Sequence, residues 1–162
     1  MVFGLETKPV GTLEDSVLET ITPDPNSNLD FESLRLSNAV KDWGVVTLGM
    51  EPHEKQNFIL IQHRDGGVKK IARNKCKLDK QADKQNEPEF FHLSDPSGGS
   101  SGSPIMDMAT GTVVGIHHIG VYGSSPKDVR NLAVKMSYVM RLIKNSRPEV
   151  YAEIVKVQRN LP

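Results

Sequence analysis

The residue pattern predicts a mainly β chain that ends in helices, and three observations carry that class. Val45-Val46-Thr47-Leu48, Phe58-Ile59-Leu60-Ile61-Gln62-His63 and Gly111-Thr112-Val113-Val114-Gly115-Ile116-His117-His118-Ile119-Gly120 are short β-branched or apolar runs of strand length. Clusters of Gly, Pro, Ser and Asn separate such runs and punctuate the chain as turns. Helical spacing emerges late, at Met136, Val139, Met140 and Ile143, and again at Val150, Tyr151, Ile154 and Val157.

Length and composition bound the class further. The 162 residues suffice for one domain with a real core. Twenty basic residues balance twenty acidic ones, so no overall field draws the chain to nucleic acid or an anionic membrane. No apolar run approaches a membrane span. The start, Met1-Val2-Phe3-Gly4-Leu5-Glu6, lacks the pattern of a secretory leader. Cys76 is the single cysteine, so no intrachain disulfide forms and a reducing, intracellular setting is expected. The histidines lack ligand spacing and Cys76 has no thiol partner, so no metal or organic cofactor is expected.

Taken in order, residues 1–28 are rich in Pro, Thr, Asp and Asn, with short strands expected near Val2-Phe3 and Val17-Leu18. Leu29 to Leu36 reads as a strand, and Val45 to Leu48 begins another. The run Phe58 to His63 is continuous enough to be buried on both faces. Asp65-Gly66 is a strong tight-turn signal, with Val68 to Ala72 as the partner strand. The cations Lys69, Lys70, Arg73, Lys75, Lys77 and Lys80 have no interleaved aromatics for base stacking, so they read as a solvated face. Phe90 to Leu93 is a short strand, and Leu132 to Met136 is a return strand. A helix then runs to Lys144, and Ser146-x-x-Glu149 has the form of a capping box before a last helix.

Gly98-Gly99-Ser100-Ser101-Gly102-Ser103-Pro104 is the chemically informative stretch. A serine flanked by glycines sits where the backbone bends sharply, exposing the hydroxyl and turning N–H groups inward, as acyl transfer requires. A plain Gly/Ser turn remains the bland alternative on the residues alone. The stretch also satisfies Gly-x-Ser-x-Gly, but that elbow needs a helix directly after it, and Pro104 leaves no room.

Gly99 to Pro104 resembles the nucleophile loop of trypsin-like, chymotrypsin-fold serine proteases, which runs Gly-x-Ser-Gly-Gly/Ser-Pro. Gly115 to Gly120 resembles the strand that follows it and lines the substrate cleft. Leu29-Asp30-Phe31 is similar to the segment whose Asp orients the catalytic histidine, and Gln62-His63-x-x-Gly66 to a hairpin of small, disulfide-free members. Arg64 stands where that hairpin usually has proline, which should loosen the turn without removing it.

The resemblance implies a chymotrypsin-like β-barrel fold: an incomplete first barrel (residues 1–50), a complete second barrel (51–134) and C-terminal helices (135–162). It implies Ser101 as nucleophile, the N–H groups of Gly99 and Ser101 as oxyanion donors, and Asp30 as the orienting carboxylate. Asp95, six residues before Ser101, matches the pocket floor, where an Asp favours Lys or Arg; a turn Asp is the alternative. His117 matches a pocket-wall position and His118 would lie next to the triad on the same strand; both could equally be satisfied strand histidines. The backbone of Ile119 and Gly120 would pair with an extended substrate. Ser100 replaces the Asp that secreted members pair with a freed N-terminus.

The general base has no match. The family order is His, Asp, Ser, yet His53, His63, His92, His117 and His118 all follow Asp30. The expectation is therefore a trypsin-like endopeptidase that is truncated and inactive alone. The alternative is a pseudoprotease serving as a peptide-binding or interaction module. Either way the partner is a polypeptide, with no nucleic acid and no membrane. The sequence does not fix the oligomeric state.

Overall fold

The computed structural model describes residues 17–21, 31, 33–36, 45–49, 51–79, 88–121 and 130–159. Two strands, β1 (Val17–Ile21) and β2 (Ser33–Leu36), pair antiparallel in a small sheet of their own. The main sheet has six antiparallel strands: β3 (Phe58–Gln62), β4 (Lys70–Ala72), β5 (Glu89–His92), β6 (Pro104–Asp107), β7 (Val113–Val121) and β8 (Arg130–Lys135). Their order across the sheet is β4-β3-β6-β7-β8-β5. Two helices follow, α1 (Met136–Ser146) and α2 (Pro148–Arg159). No helix among the described residues is long and apolar enough to cross a membrane.

Alternation along β3 explains why its apolar run is continuous. Phe58, Leu60 and Gln62 are buried toward one face, where Phe58 and Leu60 join Cys76, Phe90, Ile105 and Val114 in a core. Ile59 and Ile61 are half-buried on the other face, against the cluster of Met106, Ile116, Val134, Met136, Val139 and Ile143. The expected burial on both faces is therefore met, the second face being covered in part by α1. In the first core the Phe58 and Phe90 rings meet edge-on, 6.1 Å apart. Gly115 of β7 lies against this pair: a Cβ there would stand 2.5 Å from Phe90 Cε1 and 2.9 Å from the Val134 carbonyl.

The chymotrypsin-like β architecture is met, but the second barrel expected to be complete is not closed by a strand ladder. Among the described residues none joins β4 to β5, and Leu78 makes only an isolated antiparallel bridge to His92. β4 is only three residues long, and the chain after it bends through Lys75 at φ 59°. The segment that follows spans the gap with separate bonds. Phe58 N–H donates to Cys76 O (2.8 Å), Leu93 N–H to Lys77 O (2.9 Å) and Asp79 N–H to Phe91 O (2.8 Å).

Other boundaries differ in detail. The partner strand begins at Lys70 rather than Val68. Val45 to Leu48 contributes one parallel bridge, Leu48 to Val113, not a strand. The Ser146–Glu149 capping box does not form. Ser146 Oγ donates back to the Leu142 carbonyl (2.8 Å) at the end of α1, and Glu149 engages Arg147 Nε (2.6 Å). Pro148 occupies the first turn of α2, where its missing N–H costs nothing. The strand expected near Val2-Phe3, and Asp30, lie outside the described residues.

Candidate active site

The turn between β5 and β6 takes the form that its glycines allow. Gly99 has φ +80° and Gly102 φ +85°, both in the left-handed region that glycine enters without penalty. Between them Ser100 points inward, 1% exposed, and Ser101 points out. A strand, not a helix, follows at Pro104, so the elbow reading fails on the structure as it did on the residues. The loop is docked on β7: Gly102 N–H donates to His117 O (2.8 Å), and His117 N–H to Ser103 O (2.9 Å). Ser101 Oγ donates to the His118 carbonyl oxygen at 2.8 Å. Among the described residues the Gly99 and Ser101 N–H groups have no hydrogen-bond acceptor. An oxyanion is bound by N–H groups not already spent on the protein, and these two amides beside an outward hydroxyl meet that condition.

The β3–β4 hairpin holds the other side of this loop. Asp65 (φ 52°) and Gly66 (φ 69°) make the tight turn that the Asp-Gly pair predicts. Asp65 N–H donates to Gly98 O (2.7 Å), and Arg64 Nε donates to Ser97 Oγ (2.6 Å). Gln62, 2% exposed, accepts the Ser100 hydroxyl on Oε1 (2.6 Å) and donates from Nε2 to Asp95 O (3.3 Å). Arg64 therefore does not loosen the turn as expected; it ties the turn to the loop. Contact is close enough that a Cβ on Gly99 would lie 3.1 Å from His63 O.

A cleft of about 590 Å³ opens beside Ser101, lined by loop residues 93–99, by His117 to Gly120 of β7, and by Asn131. His117, His118 and Gly120 thus meet Ser101, Gly99 and Asp95 around one space. Asp95 sits at its rim: the side chain is 83% exposed and 3.6 Å from Arg64 Nη1, an exposed pair worth little in water. The buried polar groups of the wall are His117, Ser94 and Asn131, whose Nδ2 donates to Ser94 O (2.7 Å). Behind Ser94 lies the Cys76 thiol, buried and pushed up in pKa chiefly by that burial.

The two β7 histidines part company at a bulge. The β7–β8 register slips between His117 and Ile119, leaving His118 as the extra residue. His117 turns inward, where its Nδ1 is 3.2 Å from Nε2 of His92. Burial, then mutual repulsion with neighbouring imidazoles, lowers His92 to about 3 and His117 to about 4, so both are neutral near pH 7. His118 turns the other way, its Nε2 2.6 Å from Glu89 Oε1 without the alignment of a hydrogen bond. His63 has Nδ1 at the Gly67 carbonyl (3.0 Å), and His53 is exposed. No imidazole is a hydrogen-bond partner of Ser101 among the described residues.

Sequence reasoning missed His92, Ser94 and Asn131. His92 looked like the end of an apolar strand, and only the β5–β8–β7 pairing brings it to His117. Gln62 carried a signal, a lone amide closing the run Phe58 to Ile61, but its partner across 38 residues was not readable.

Among solved structures, the chain is similar to the protease of tobacco vein mottling virus at 13% identity, with TM-score 0.44 over 63% of this chain and 45% of that one. It is similar to the catalytically active tobacco etch virus protease complexed with product at 16% identity, with TM-score 0.38 over 56% of this chain and 37% of that one. An inactive, serine-to-alanine form of Rv3671c from Mycobacterium tuberculosis gives 16% identity and TM-score 0.42, over 70% of this chain and 57% of that one. The chain thus spans about half the length of these structures or less. No curated protein matches. The family model described as trypsin-like peptidase domain matches residues 6–116, which run through the hairpin and the Gly-Ser loop into β7. With more than half of its 162 residues inside that match, the chain belongs to the trypsin-like peptidase family.

Proposed function

We propose that this chain carries the nucleophile side of a serine endopeptidase, with polypeptide as the substrate class and Ser101 as the acyl-enzyme nucleophile. In that reaction an imidazole supplied by another segment takes the Ser101 proton as Oγ bonds to the peptide carbonyl carbon and the C=O π pair moves onto the carbonyl oxygen. The Gly99 and Ser101 N–H groups donate to that oxygen. Such a donor supplies about 3 kcal/mol of transition-state stabilisation. Collapse breaks the C–N bond, the amine leaves with the proton held by the imidazole, and the acyl group stays on Ser101. The substrate backbone lies extended along Ile119 and Gly120, whose edge faces the cleft. His117 serves as pocket wall, and Asp95 stands at the pocket rim rather than as a dry floor. Asp30 has the role of orienting carboxylate for an imidazole. The division into a first-barrel remnant at 1–50, a second-barrel unit at 51–134 and helices at 135–162 belongs to the same reading. A reducing, intracellular setting agrees with the single buried cysteine.

The observation that carries this reading is the pair of unengaged amides flanking an exposed serine at the cleft. Among the described residues no side chain is placed to accept the Ser101 proton. The Ser101 proton points at a backbone carbonyl, which cannot take it, and a neutral serine hydroxyl is a weak nucleophile. The chain alone is therefore expected to bind peptides without turning them over. That same hydrogen bond also favours the second reading, a pseudoprotease acting as a peptide-binding module.

A fluorophosphonate probe together with peptide titration tests both. The expected result for this chain is saturable peptide binding at the cleft and no labelling of Ser101. Labelling of Ser101 would overturn the inactive state and the pseudoprotease alternative. Absence of any peptide binding would overturn the polypeptide cleft. Ser101 labelling in a chain supplied with a histidine-bearing partner segment is the result expected of the peptidase. Its absence there leaves the binding module standing.

A further inference from the structure

Ser101 and the two amides are useful only if the loop keeps one conformation, and a Gly/Ser turn has no intrinsic reason to do so. Glycine at 99 and 102 frees the backbone on both sides of the Ser100–Ser101 peptide. A flip of that peptide would turn the Ser101 N–H away from the cleft. Ser103 N–H holds that peptide by its carbonyl (Ser100 O, 3.1 Å), and the buried Ser100 side chain, 1% exposed, offers a second hold.

We infer that Gln62 is a positioning residue that sets the oxyanion pocket through Ser100. Its carboxamide sits on the stiff end of β3, 2% exposed, and uses both of its ends. Oε1 accepts the Ser100 hydroxyl at 2.6 Å, and Nε2 donates to Asp95 O at 3.3 Å. The same Ser100 oxygen accepts the Ser97 N–H at 3.2 Å. Gly98 O is held by Asp65 N–H at 2.7 Å from the same hairpin. The loop is thus fixed at residues 95, 97, 98 and 100, on either side of Gly99 and directly before Ser101. The Gly99 and Ser101 amides are the segments left between fixed points. Backbone bonds at Ser100 N–H (to Ser97 O, 3.0 Å) and Ser100 O (from Ser103 N–H, 3.1 Å) share in setting their direction, and the amide of Gln62 is the side-chain anchor that seats Ser100. Being uncharged, the anchor needs no terminal amine and no change of pH to form. It is present in the folded chain as it stands.

This inference rests on the proposed peptidase-type cleft, so its test must fail separately from that reading. A base-independent probe is a set of acetylated hexapeptides differing in their last residue, each prepared as the free acid and as the C-terminal amide. A terminal carboxylate is an oxyanion that backbone amides can capture. The intact chain is titrated with both forms, and the ratio of the two affinities reports the amide pocket. Wild type is expected to prefer the acid by about tenfold. Gln62→Leu and Ser100→Ala are expected to lose most of that preference while still binding the amide form, which needs only the β7 edge. Gln62→Glu, isosteric and able to accept the Ser100 hydroxyl, should recover part of it.

Ser100→Ala guards against a folding failure of Gln62→Leu, since it deletes only one oxygen. A variant that unfolded would lose both forms equally, whereas a lost anchor removes the acid preference alone. If wild type binds neither form, the peptide cleft is overturned. If wild type prefers the acid and Ser100→Ala keeps the full preference, the positioning role is overturned and the cleft stands.

Discussion

Replacing Gly99 by alanine probes the contact between hairpin and nucleophile loop, and Gly102 supplies its control. Both glycines sit at nearly the same positive φ, +80° and +85°. An L-residue in the left-handed region pays about 1–2 kcal/mol, and that cost applies to either substitution. The surroundings differ. At Gly102 nothing lies within 4 Å of the new Cβ, whereas at Gly99 it would stand 3.1 Å from His63 O and 3.4 Å from Asp65 N. Those are backbone atoms of a turn bonded to the loop, so they yield only by moving the hairpin, at the about 1–3 kcal/mol typical of overpacking. Gly102→Ala should therefore cost about 1–2 kcal/mol and Gly99→Ala about 2–5 kcal/mol. Urea denaturation gives both values, provided the m-value is unchanged. Equal losses, or a larger loss at Gly102, would refute the close packing of hairpin on loop.

Gly115→Ala should cost about 2–3 kcal/mol in the same assay, since its Cβ would overlap the buried Phe90 ring and the Val134 carbonyl. A Gly111→Ala variant, with open space at φ +70°, should cost only about 1–2 kcal/mol. The buried histidines set an acid limb. His92 and His117 stay neutral in the fold down to about pH 3 and 4, while unfolded histidine takes a proton near 6.5. The unfolded state binds more protons between those values, so stability should fall as pH drops from about 6.5 toward 4. His92→Phe should flatten that slope in pH-dependent melting, and an unchanged slope would contradict the assignment. Cys76, buried and with its thiol pKa raised, should react slowly with maleimide in the native chain and rapidly in urea.

The fold class was legible because periodicity and punctuation are local. Alternating burial along β3, the Asp65-Gly66 turn and the i, i+3, i+4 face of α1 each follow from a few neighbouring residues. Closure of the barrel was not legible, since residues 76–79 meet β3 and β5 through separate bonds and one isolated bridge rather than as a strand. The serine loop could be read from its glycines, whose positive φ is the physical reason for the motif. Its anchoring could not. Gln62 and Ser100 are 38 residues apart, and the His92–His117 pair spans 25 residues and two strand ladders. Even within reach, local rules misfired where a competitor was closer: Ser146 bonds its own helix rather than capping the next.

We propose that the Gly99 and Ser101 amides, without an acceptor among the described residues, serve a cleft that takes an extended peptide. Amide-resolved NMR of the isotopically labelled chain, titrated with a free-acid hexapeptide, reads those two groups directly. The Gly99 and Ser101 N–H signals are expected to shift most and move downfield, with Ile119 and Gly120 following. Saturable binding that leaves both signals in place, or shifts confined to another face, would contradict it.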